Sequence, residues 1–477
     1  MVGNAFAGFG FPAEGTVSYI FPSDMFLEGS DLTPLVEHME ELLSGLTSWE
    51  PSMGDTGVIE PEMVEVEAPD YMEAYEKVNS LYLRNQWGDG LPIVPPTTEK
   101  VDWILTGTNL DPDEAISPLG GVPPRGGIAT VRAIAVCLCM AGGRPEYLPV
   151  TIACVRAITD PAAEMQSWTT TTNSTIPAIV VNGPIARQIR LSSGYGCLGP
   201  DPLYPAGQVI GRAIRILQMT LGGAQPGTST MSIFGGLRAT NCVFAEDEDD
   251  LPDGWTTWAE ERGYTRDQNI VTMTCICSYD NFFWHFGDSA SNDRALLLTA
   301  GVMAAPNEVR YIFYNRLLDD GTDLDSGLVL LPKAFVASLA NLNGYTKDDV
   351  KRFLFDHATQ KKSFFKNLGW EEVMNNWPTF AAADDDDDIA ICNTFDQIHI
   401  AITGGDQGGH GYYMMGVPMG KCVSAEIDGV PENWDDLLFQ AEIDLGVPKS
   451  IDDGIEDATS SEADVDGSST GSSGASD

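Results

Sequence analysis

Strand-like and helix-like segments alternate along this chain from about residue 88 to residue 446. The run "IPAIVVNGP" is rich in β-branched residues and closes with Asn-Gly-Pro, which is typical of a buried strand. The run "GQVIGRAIRILQMTLGG" has the apolar spacing of an amphipathic helix and stops at two glycines. The alternation predicts an α/β fold in which a largely buried mixed sheet is flanked by helices.

Changes in composition divide the chain into four predicted parts. Residues 1–60 hold a strand-like run, "VSYIFPSDMF", a helix, "DLTPLVEHMEELLSGL", and a Pro-punctuated linker, which together predict a small N-terminal α/β piece. Residues 61–300 are predicted to form an α/β body, and residues 301–446 either continue it or form a second lobe. Residues 447–477 are an acidic tail rich in Ser, Gly and Asp and are predicted to be disordered.

The net charge of −44 narrows the possible partners. Only eight of the 70 acidic residues lie in the segment from Ser450 onward, so the charge belongs to the folded body as well. No lysine occurs between Lys100 and Lys333. Such a surface repels nucleic acids and anionic membranes, and it suits a halophilic protein, whose self-repulsion is screened by salt. A merely acidic mesophilic protein is the alternative.

The chain shows no sign of export. Its start, "MVGNAFAGFGFPAEG", has no basic segment followed by a long apolar one, and the apolar run "AIAVCLCMA" is too short to cross a bilayer. Nine cysteines, an odd number, lie mostly in apolar segments. These features predict a cytoplasmic protein with reduced thiols.

One cysteine lies in an unusual setting, the glycine-rich stretch "SSGYGCLGP" that contains Cys197. Glycines on both sides remove side chains that would cover the thiol, and Pro200 stiffens the turn. Cys197 is therefore a candidate nucleophile or redox group, which needs a nearby positive charge to lower its pKa. The alternative is a small side chain that only packs in a turn.

The stretch "TGGDQGGHGYY" makes His410 a candidate general acid or base, since it follows a strand where α/β proteins place their sites. His399, inside the preceding strand, is predicted to be part of the core. Two Cys-x-Cys pairs, Cys137/Cys139 and Cys275/Cys277, lack the usual zinc spacing and are also predicted to be core. The sequence thus assigns no metal to them.

Four further residues are candidate binding groups. Arg125 lies in "PLGGVPPRGG" just before a helix, where free backbone N–H groups favour anions. Arg125 and Arg144 are expected to hold an anionic substrate. Asp89, in "WGDGLP", is either an orienting carboxylate or the side chain of a structural turn. Asn173, in "WTTTTNST", either binds a ligand or satisfies buried backbone groups.

Several of these stretches together resemble the UGSC-type (seleno)protein family, named for a selenocysteine-Gly-Ser-Cys or Cys-Gly-Ser-Cys motif. They are "GDGLPIVPPT", "MAGGRPEYLPV", "SSGYGCLGP", "IGRAIRI" and "GGAQPG". Residues 80–430 resemble the long partner module of that family, and residues 15–50 look like the tail end of a UGSC-type domain. The chain itself contains no Cys-Gly-Ser-Cys. The resemblance implies thiol-linked chemistry.

The leading hypothesis is therefore a cytoplasmic enzyme, such as an oxidoreductase, with redox or covalent thiol chemistry on a small anionic molecule. Cys197 would be the reactive thiol and His410 the acid or base. A second hypothesis is a metal-dependent lyase or hydrolase with His410, Asp406 and Asp89 as ligands. A third is a non-enzymatic subunit that binds a UGSC-type partner. The cofactor is unknown, and a homo-oligomer is possible.

Overall fold

The computed structural model describes residues 31–48, 63–236, 242–305, 327–369, 371–375, 378–417 and 419–446. The predicted strand "VSYIFPSDMF" and the predicted disordered tail lie outside these residues. Within residues 31–48 the predicted single helix is two short helices, because the chain leaves the helical conformation at His38. No helix in the described ranges is long and apolar enough to span a membrane.

The helices lie on the outside of a mixed sheet. Their bounds are α1 Thr33–Glu37, α2 Met39–Thr47, α3 Tyr71–Arg84, α4 Thr98–Leu105, α5 Val131–Met140, α6 Leu148–Ile158, α7 Met165–Thr170, α8 Pro184–Gln188, α9 Ala206–Thr220, α10 Trp258–Glu261, α11 Ser289–Met303, α12 Lys333–Ser338, α13 Lys347–His357, α14 Lys362–Asn367, α15 Glu371–Met374, α16 Pro378–Ala382 and α17 Trp434–Leu445. Side-chain caps fix several helix starts: Thr130 accepts a hydrogen bond from the N–H of Ala133, and Thr346 forms a capping box with Asp349.

The strands are β1 Ile176–Asn182, β2 Val243–Ala245, β3 Ile270–Phe283, β4 Gly327–Leu331, β5 Thr359–Lys361, β6 Asp388–Ala390, β7 Ile398–Ile402, β8 His410–Gly416 and β9 Val423–Glu426. Seven of them form one sheet in the order β2-β1-β3-β8-β4-β7, and β9 pairs with the first half of β3. The pairs β1–β2 and β4–β7 are parallel, and the others are antiparallel. The predicted mixed α/β sheet with flanking helices is confirmed. Strands from before and after residue 300 share this sheet.

The sheet curls until its two end strands meet. The N–H of Asp247, just after β2, donates to the carbonyl of Ile402 at the end of β7 (2.7 Å). Thr403 Oγ1 donates to the carbonyl of Ala245 (3.1 Å). The buried carboxylate of Glu246 accepts from the N–H groups of Ile402 (3.1 Å) and Trp258 (2.8 Å). These bonds join β2 to β7 directly.

The curl separates two hydrophobic clusters. Alternate residues of β1 divide between them: Ile179 and Val181 face the large cluster formed with the helices, whereas Ala178 and Val180 face a smaller one. We call the smaller one the inner cluster. Its members are Ile176, Ala178, Val180, Cys242, Phe244, Trp258, Ile276, Leu328, Leu330, Ala401, Met414 and Cys422. The two ends of the inner cluster are the places where loops and polar side chains gather.

Candidate functional site

A pocket of about 520 Å³ opens at one end of the inner cluster, where β4 and β7 end and β8 begins. We call it the thiol pocket, because Cys197 lines it. Its described lining residues are Tyr195, Gly196, Cys197, Leu198, Gly199, Asn281, Leu330, Pro332, Thr403, Gly404, Gln407, His410, Gly411 and Tyr412. The structure thus brings together the two candidates Cys197 and His410, which lie far apart in sequence.

A tight turn presents Cys197 to the pocket. The N–H of Cys197 donates to the carbonyl of Gly194 (3.3 Å), and that of Gly199 to the carbonyl of Gly196 (2.7 Å). Gly196 has φ +72°, which glycine adopts without strain, and a Cβ there would meet open space. The Cys197 side chain is half-buried and packs against the inner cluster. The turn therefore leaves the thiol partly accessible while the chain around it is fixed.

Close packing fixes the glycine-rich loop that carries His410. A Cβ on Gly408 would lie 2.3 Å from the ring of Phe286, and one on Gly411 would lie 2.2 Å from the ring of Trp284. Trp284 also donates from its indole Nε1 to the carbonyl of Gly408 (2.8 Å). Gly408 and Gly411 are needed because the aromatic rings are in contact with the backbone and leave no room for a Cβ.

Hydrogen bonds connect the two loops. The N–H of Gly404 and the hydroxyl of Thr403 both donate to the carbonyl of Ser193, at 2.8 and 2.9 Å. Thr403 Oγ1 also reaches the carbonyl of Ala245, so it ties the Cys197 loop to the junction of β2 and β7. The relative position of Cys197 and His410 therefore depends on the closure of the curled sheet.

His410 is at the exposed mouth of the thiol pocket, beside Asn281 on the neighbouring strand. His410 Nδ1 and Asn281 Oδ1 are 3.3 Å apart. With Asn281 Oδ1 accepting from Nδ1, the lone pair of the imidazole lies on Nε2. The arrangement can therefore orient His410 as a proton acceptor.

The thiol pocket is largely uncharged. Among the described residues that line it, none is Asp, Glu, Lys or Arg. Its polar side chains other than Cys197 and His410 are Tyr195, Asn281, Thr403, Gln407 and Tyr412. Asn281 was missed by the sequence analysis, whereas Thr403 and Tyr412 lie in the quoted stretch "TGGDQGGHGYY" but were not singled out as candidates. Their positions follow from strand pairing, which no local motif reveals.

The other candidates lie outside the lining of the thiol pocket. Asp89 accepts two hydrogen bonds from Arg212, at 2.8 and 3.1 Å. This buried ion pair ties the loop before α4 to helix α9 and gives Asp89 a structural role. Arg212 is thus bonded to Asp89 and lies outside the lining of the thiol pocket.

Arg144 is bound to two carboxylates, Glu146 (2.5 Å) and Asp444 (2.9 Å), and so links the start of α6 to helix α17. Burial raises the pKa of Glu146, and the hydrogen bond from Arg144 opposes that shift. Arg144 therefore has its negative partners within the protein. The structure does not place it where the expected anionic substrate would meet Cys197.

Arg125 and Asn173 also lie away from Cys197. The side chain of Arg125 packs on Gly223, which has φ +62°, and its backbone N–H donates to the carbonyl of Gly222 (3.0 Å). Asn173 Oδ1 accepts from the N–H of Ser174 (2.9 Å). Asn173 is thus bonded within its own loop, whereas Arg125 Nε is buried and has no hydrogen-bond acceptor among the described residues.

Most of the other cysteines are more deeply buried than Cys197. All nine cysteines are described and none forms a disulfide. Burial raises the pKa of Cys137 to about 12 and that of Cys139 to about 11, and it raises those of Cys154 and Cys275 as well. The predicted core positions of Cys137, Cys139 and Cys275 are confirmed, whereas Cys277 is half-buried.

The predicted core position of His399 is also confirmed, since it is only 8% exposed in β7. In the described ranges, no group of three or more His, Cys, Asp or Glu side chains could hold a metal ion. Asp89 is paired with Arg212, and Asp406 is exposed. The set His410, Asp406 and Asp89 therefore does not form a described metal centre.

Comparisons with protein-family models, with curated proteins and with solved structures give no match to this chain. The resemblance to UGSC-type proteins therefore stays a prediction, and the function has to be argued from the site itself.

Proposed function

We propose that the chain is an enzyme that uses Cys197 as a nucleophile on a small, weakly polar substrate in the thiol pocket. The observation that carries this proposal is that Cys197 and His410 line one pocket. Its volume of about 520 Å³ falls in the range of small-molecule sites, and its walls combine apolar groups with a few polar ones.

The substrate proposed here differs in charge from the one expected from the sequence. Since no described lysine or arginine lines the thiol pocket, nothing there would neutralise an anion. Leu198, Leu330 and Pro332 supply apolar contacts, and Asn281 and Gln407 can hydrogen-bond a carbonyl or amide. A neutral compound with an electrophilic carbonyl carbon fits this lining.

The chemical step follows from the two side chains. The sulfur of Cys197 forms a bond to the carbonyl carbon while His410 Nε2 takes the thiol proton, and the C=O electron pair moves to oxygen. With an ester or thioester as substrate, the C=O then re-forms, the leaving group departs with the proton from His410, and a water molecule hydrolyses the acyl-Cys197, so no external oxidant or reductant is needed. Proton transfer of this kind contributes about 10²–10⁴-fold to a rate.

The first test compares two cysteines of similar exposure. Cys197 and Cys277 are both half-buried, but only Cys197 shares a pocket with His410. In the native protein at pH 8, iodoacetamide should alkylate Cys197 faster than Cys277, as followed by peptide mass spectrometry. His410→Asn should slow the alkylation of Cys197 and leave that of Cys277 unchanged.

The second test uses turnover. A panel of small esters and thioesters should reveal a substrate whose hydrolysis is lost in Cys197→Ser and retained in Cys277→Ser. If Cys197 reacts no faster than Cys277 and His410→Asn changes neither rate, the nucleophile assignment is wrong. A ligand that binds the thiol pocket with no turnover, equally well in Cys197→Ser, would make the pocket a binding site instead.

A further inference from the structure

A second pocket, of about 730 Å³, lies at the opposite end of the inner cluster, where β7 begins. Trp258 and Cys422 belong to both the inner cluster and this pocket, just as Leu330 belongs to the inner cluster and the thiol pocket. We call it the cationic pocket, because Arg262, Lys351 and Lys421 line it. It shares no described lining residue with the thiol pocket.

Two of the scarce lysines of this chain share a single carboxylate beside the cationic pocket. Glu261 lies 2.7 Å from Lys351 Nζ and 3.2 Å from Lys347 Nζ. Both lysines are buried, with 5% and 2% exposure. Lys347 also opposes the burial-driven rise in the pKa of Glu246, so the two lysines face two carboxylates, Glu261 and Glu246.

Arg262 contributes a positive charge to the lining of this pocket. Its Nε donates to Ser424 Oγ (2.6 Å), and its Nη2 donates to the carbonyl of Cys422 (2.9 Å). Both acceptors are neutral, so these bonds orient the guanidinium without neutralising it. Lys421, next to Cys422, adds an exposed ammonium group at the same pocket.

Trp258 supplies an independent sign that a ligand belongs in the cationic pocket. Its side chain is fully buried, and its ring lies 5.2 Å from that of His399. Among the described residues, nothing accepts a hydrogen bond from its indole Nε1–H. Because a buried donor without an acceptor costs stability, this group calls for an acceptor atom that the described part of the chain does not provide.

The carboxylates that line the cationic pocket leave Arg262 and Trp258 available to an anionic ligand. Glu261 is already shared by two lysines, and Asp348 and Asp396 are exposed. Charges in water are screened strongly, whereas the field of buried Lys351 is screened much less. The donors available inside the pocket are therefore those of Arg262 and Trp258, while Glu261 pairs with Lys351 and the two aspartates lie at the rim.

We propose that the cationic pocket binds a small organic anion through a carboxylate or phosphoryl group. The anion's oxygens would accept hydrogen bonds from Trp258 Nε1, Arg262 and Lys351, with Lys421 at the entrance. This site is separate from the proposed thiol chemistry and does not rest on it. It is also where an anion-binding function, expected from the sequence at Arg125 and Arg144, has structural support.

The test titrates the full chain with inorganic phosphate and with malonate by isothermal titration calorimetry, with KCl added to keep the ionic strength constant. Lys421→Gln changes an exposed side chain and should fold normally, while Trp258→Phe removes the N–H and keeps an aromatic ring. Arg266→Gln is the matched control, since Arg266 is a neighbouring arginine that pairs with Glu260 and lies outside the lining.

We expect saturable binding of at least one probe, weakened about tenfold or more in Trp258→Phe and less in Lys421→Gln. Arg266→Gln and Cys197→Ser should bind like the wild type. Binding of phosphate alone indicates a phosphoryl ligand, and binding of malonate alone indicates a carboxylate. If neither probe binds, or if both pocket variants bind like the wild type, the proposal is overturned. Neither result bears on Cys197.

Discussion

The two pockets sit at opposite ends of β7 and differ in how their chemistry is assembled. The thiol pocket is built from loop backbone and glycines, and its described lining contains one histidine and no acid, lysine or arginine. The cationic pocket is lined by side chains of helices α10 and α13 and of the segments that lead into β7 and β9, and six of its eleven described lining residues are charged. One curled sheet thus holds an uncharged site suited to covalent chemistry and a charged site suited to recognition.

The hydrogen bonds that join β2 to β7 close the curled sheet between the two pockets, and Glu246 takes part in them. Its carboxylate accepts hydrogen bonds from Asn182, Trp258 and Ile402, and burial raises its pKa. Trp258 lines the cationic pocket, and Ile402 precedes Thr403 of the thiol pocket. A change at Glu246 should therefore disturb both sites together.

The largest expected effect comes from Glu246→Ala. Removing the carboxylate leaves the backbone N–H groups of Trp258 and Ile402 without an acceptor and takes away one of the two acceptors of Asn182 Nδ2, which should lower the free energy of unfolding by about 3–5 kcal/mol. Urea denaturation followed by circular dichroism measures this loss. Glu442→Ala, at an exposed position of α17, is the control and should stay within about 0.5 kcal/mol of the wild type. If Glu246→Ala changes the free energy of unfolding as little as the control does, Glu246 does not stabilise the junction of β2 and β7.

The pH dependence of thiol labelling distinguishes Cys197 from the core cysteines. Because burial raises the pKa of Cys139 to about 11, its thiolate is scarce at pH 8 and increases only as the pH approaches that value. Cys139 is also buried, whereas Cys197 is half-buried and lines a pocket. Iodoacetamide at pH 8 should therefore label Cys197 and leave Cys139 unmodified. Equal labelling of both at pH 8 would remove the contrast between them.

A smaller, local effect is expected from Gly411→Ala. Its Cβ would lie 2.2 Å from the ring of Trp284, so overpacking should cost about 1–3 kcal/mol and shift the start of β8. Alkylation of Cys197 should slow because His410 moves, while phosphate or malonate binding in the cationic pocket should not change. Gly409→Ala is the matched control, since its Cβ would meet only an ordinary contact at 3.5 Å. Equal alkylation rates in the two variants would show that the position of His410 does not matter.

The sequence predicted the parts of this fold that depend on local patterns. The β-branched run of β1 and the amphipathic spacing of α9 lie where they were expected, because side-chain periodicity decides both. The candidates Cys197 and His410 were also found locally, from glycines that the turn and the Trp284 contact require. That they line one pocket could not be predicted, since it depends on the order of β8, β4 and β7 in the sheet.

Charged residues were the least predictable, because their roles depend on distant partners. Asp89 and Arg144 looked like ligand-binding groups, yet Arg212 and Asp444 pair with them from remote parts of the chain. Glu246 begins the acidic run "EDEDD", which looks exposed in the sequence, but it is buried at the sheet closure. Trp258 and Lys351, which line the cationic pocket, belong to no motif that would have identified them in the sequence.

Salt is expected to have the smallest effect on the alkylation of Cys197. It also tests whether the acidic surface is a halophilic adaptation. With a net charge of −44, self-repulsion weakens as ions screen it, so the melting temperature should rise between about 0.1 and 1 M KCl. Over the same range, anion binding to Arg262 and Lys421 should weaken, because screening also reduces attraction. The alkylation rate of Cys197 should change least, since no described acid, lysine or arginine lines its pocket. A melting temperature that stays flat or falls would contradict the halophilic interpretation. A salt-sensitive Cys197 would instead mean that charges outside the described lining control the thiol.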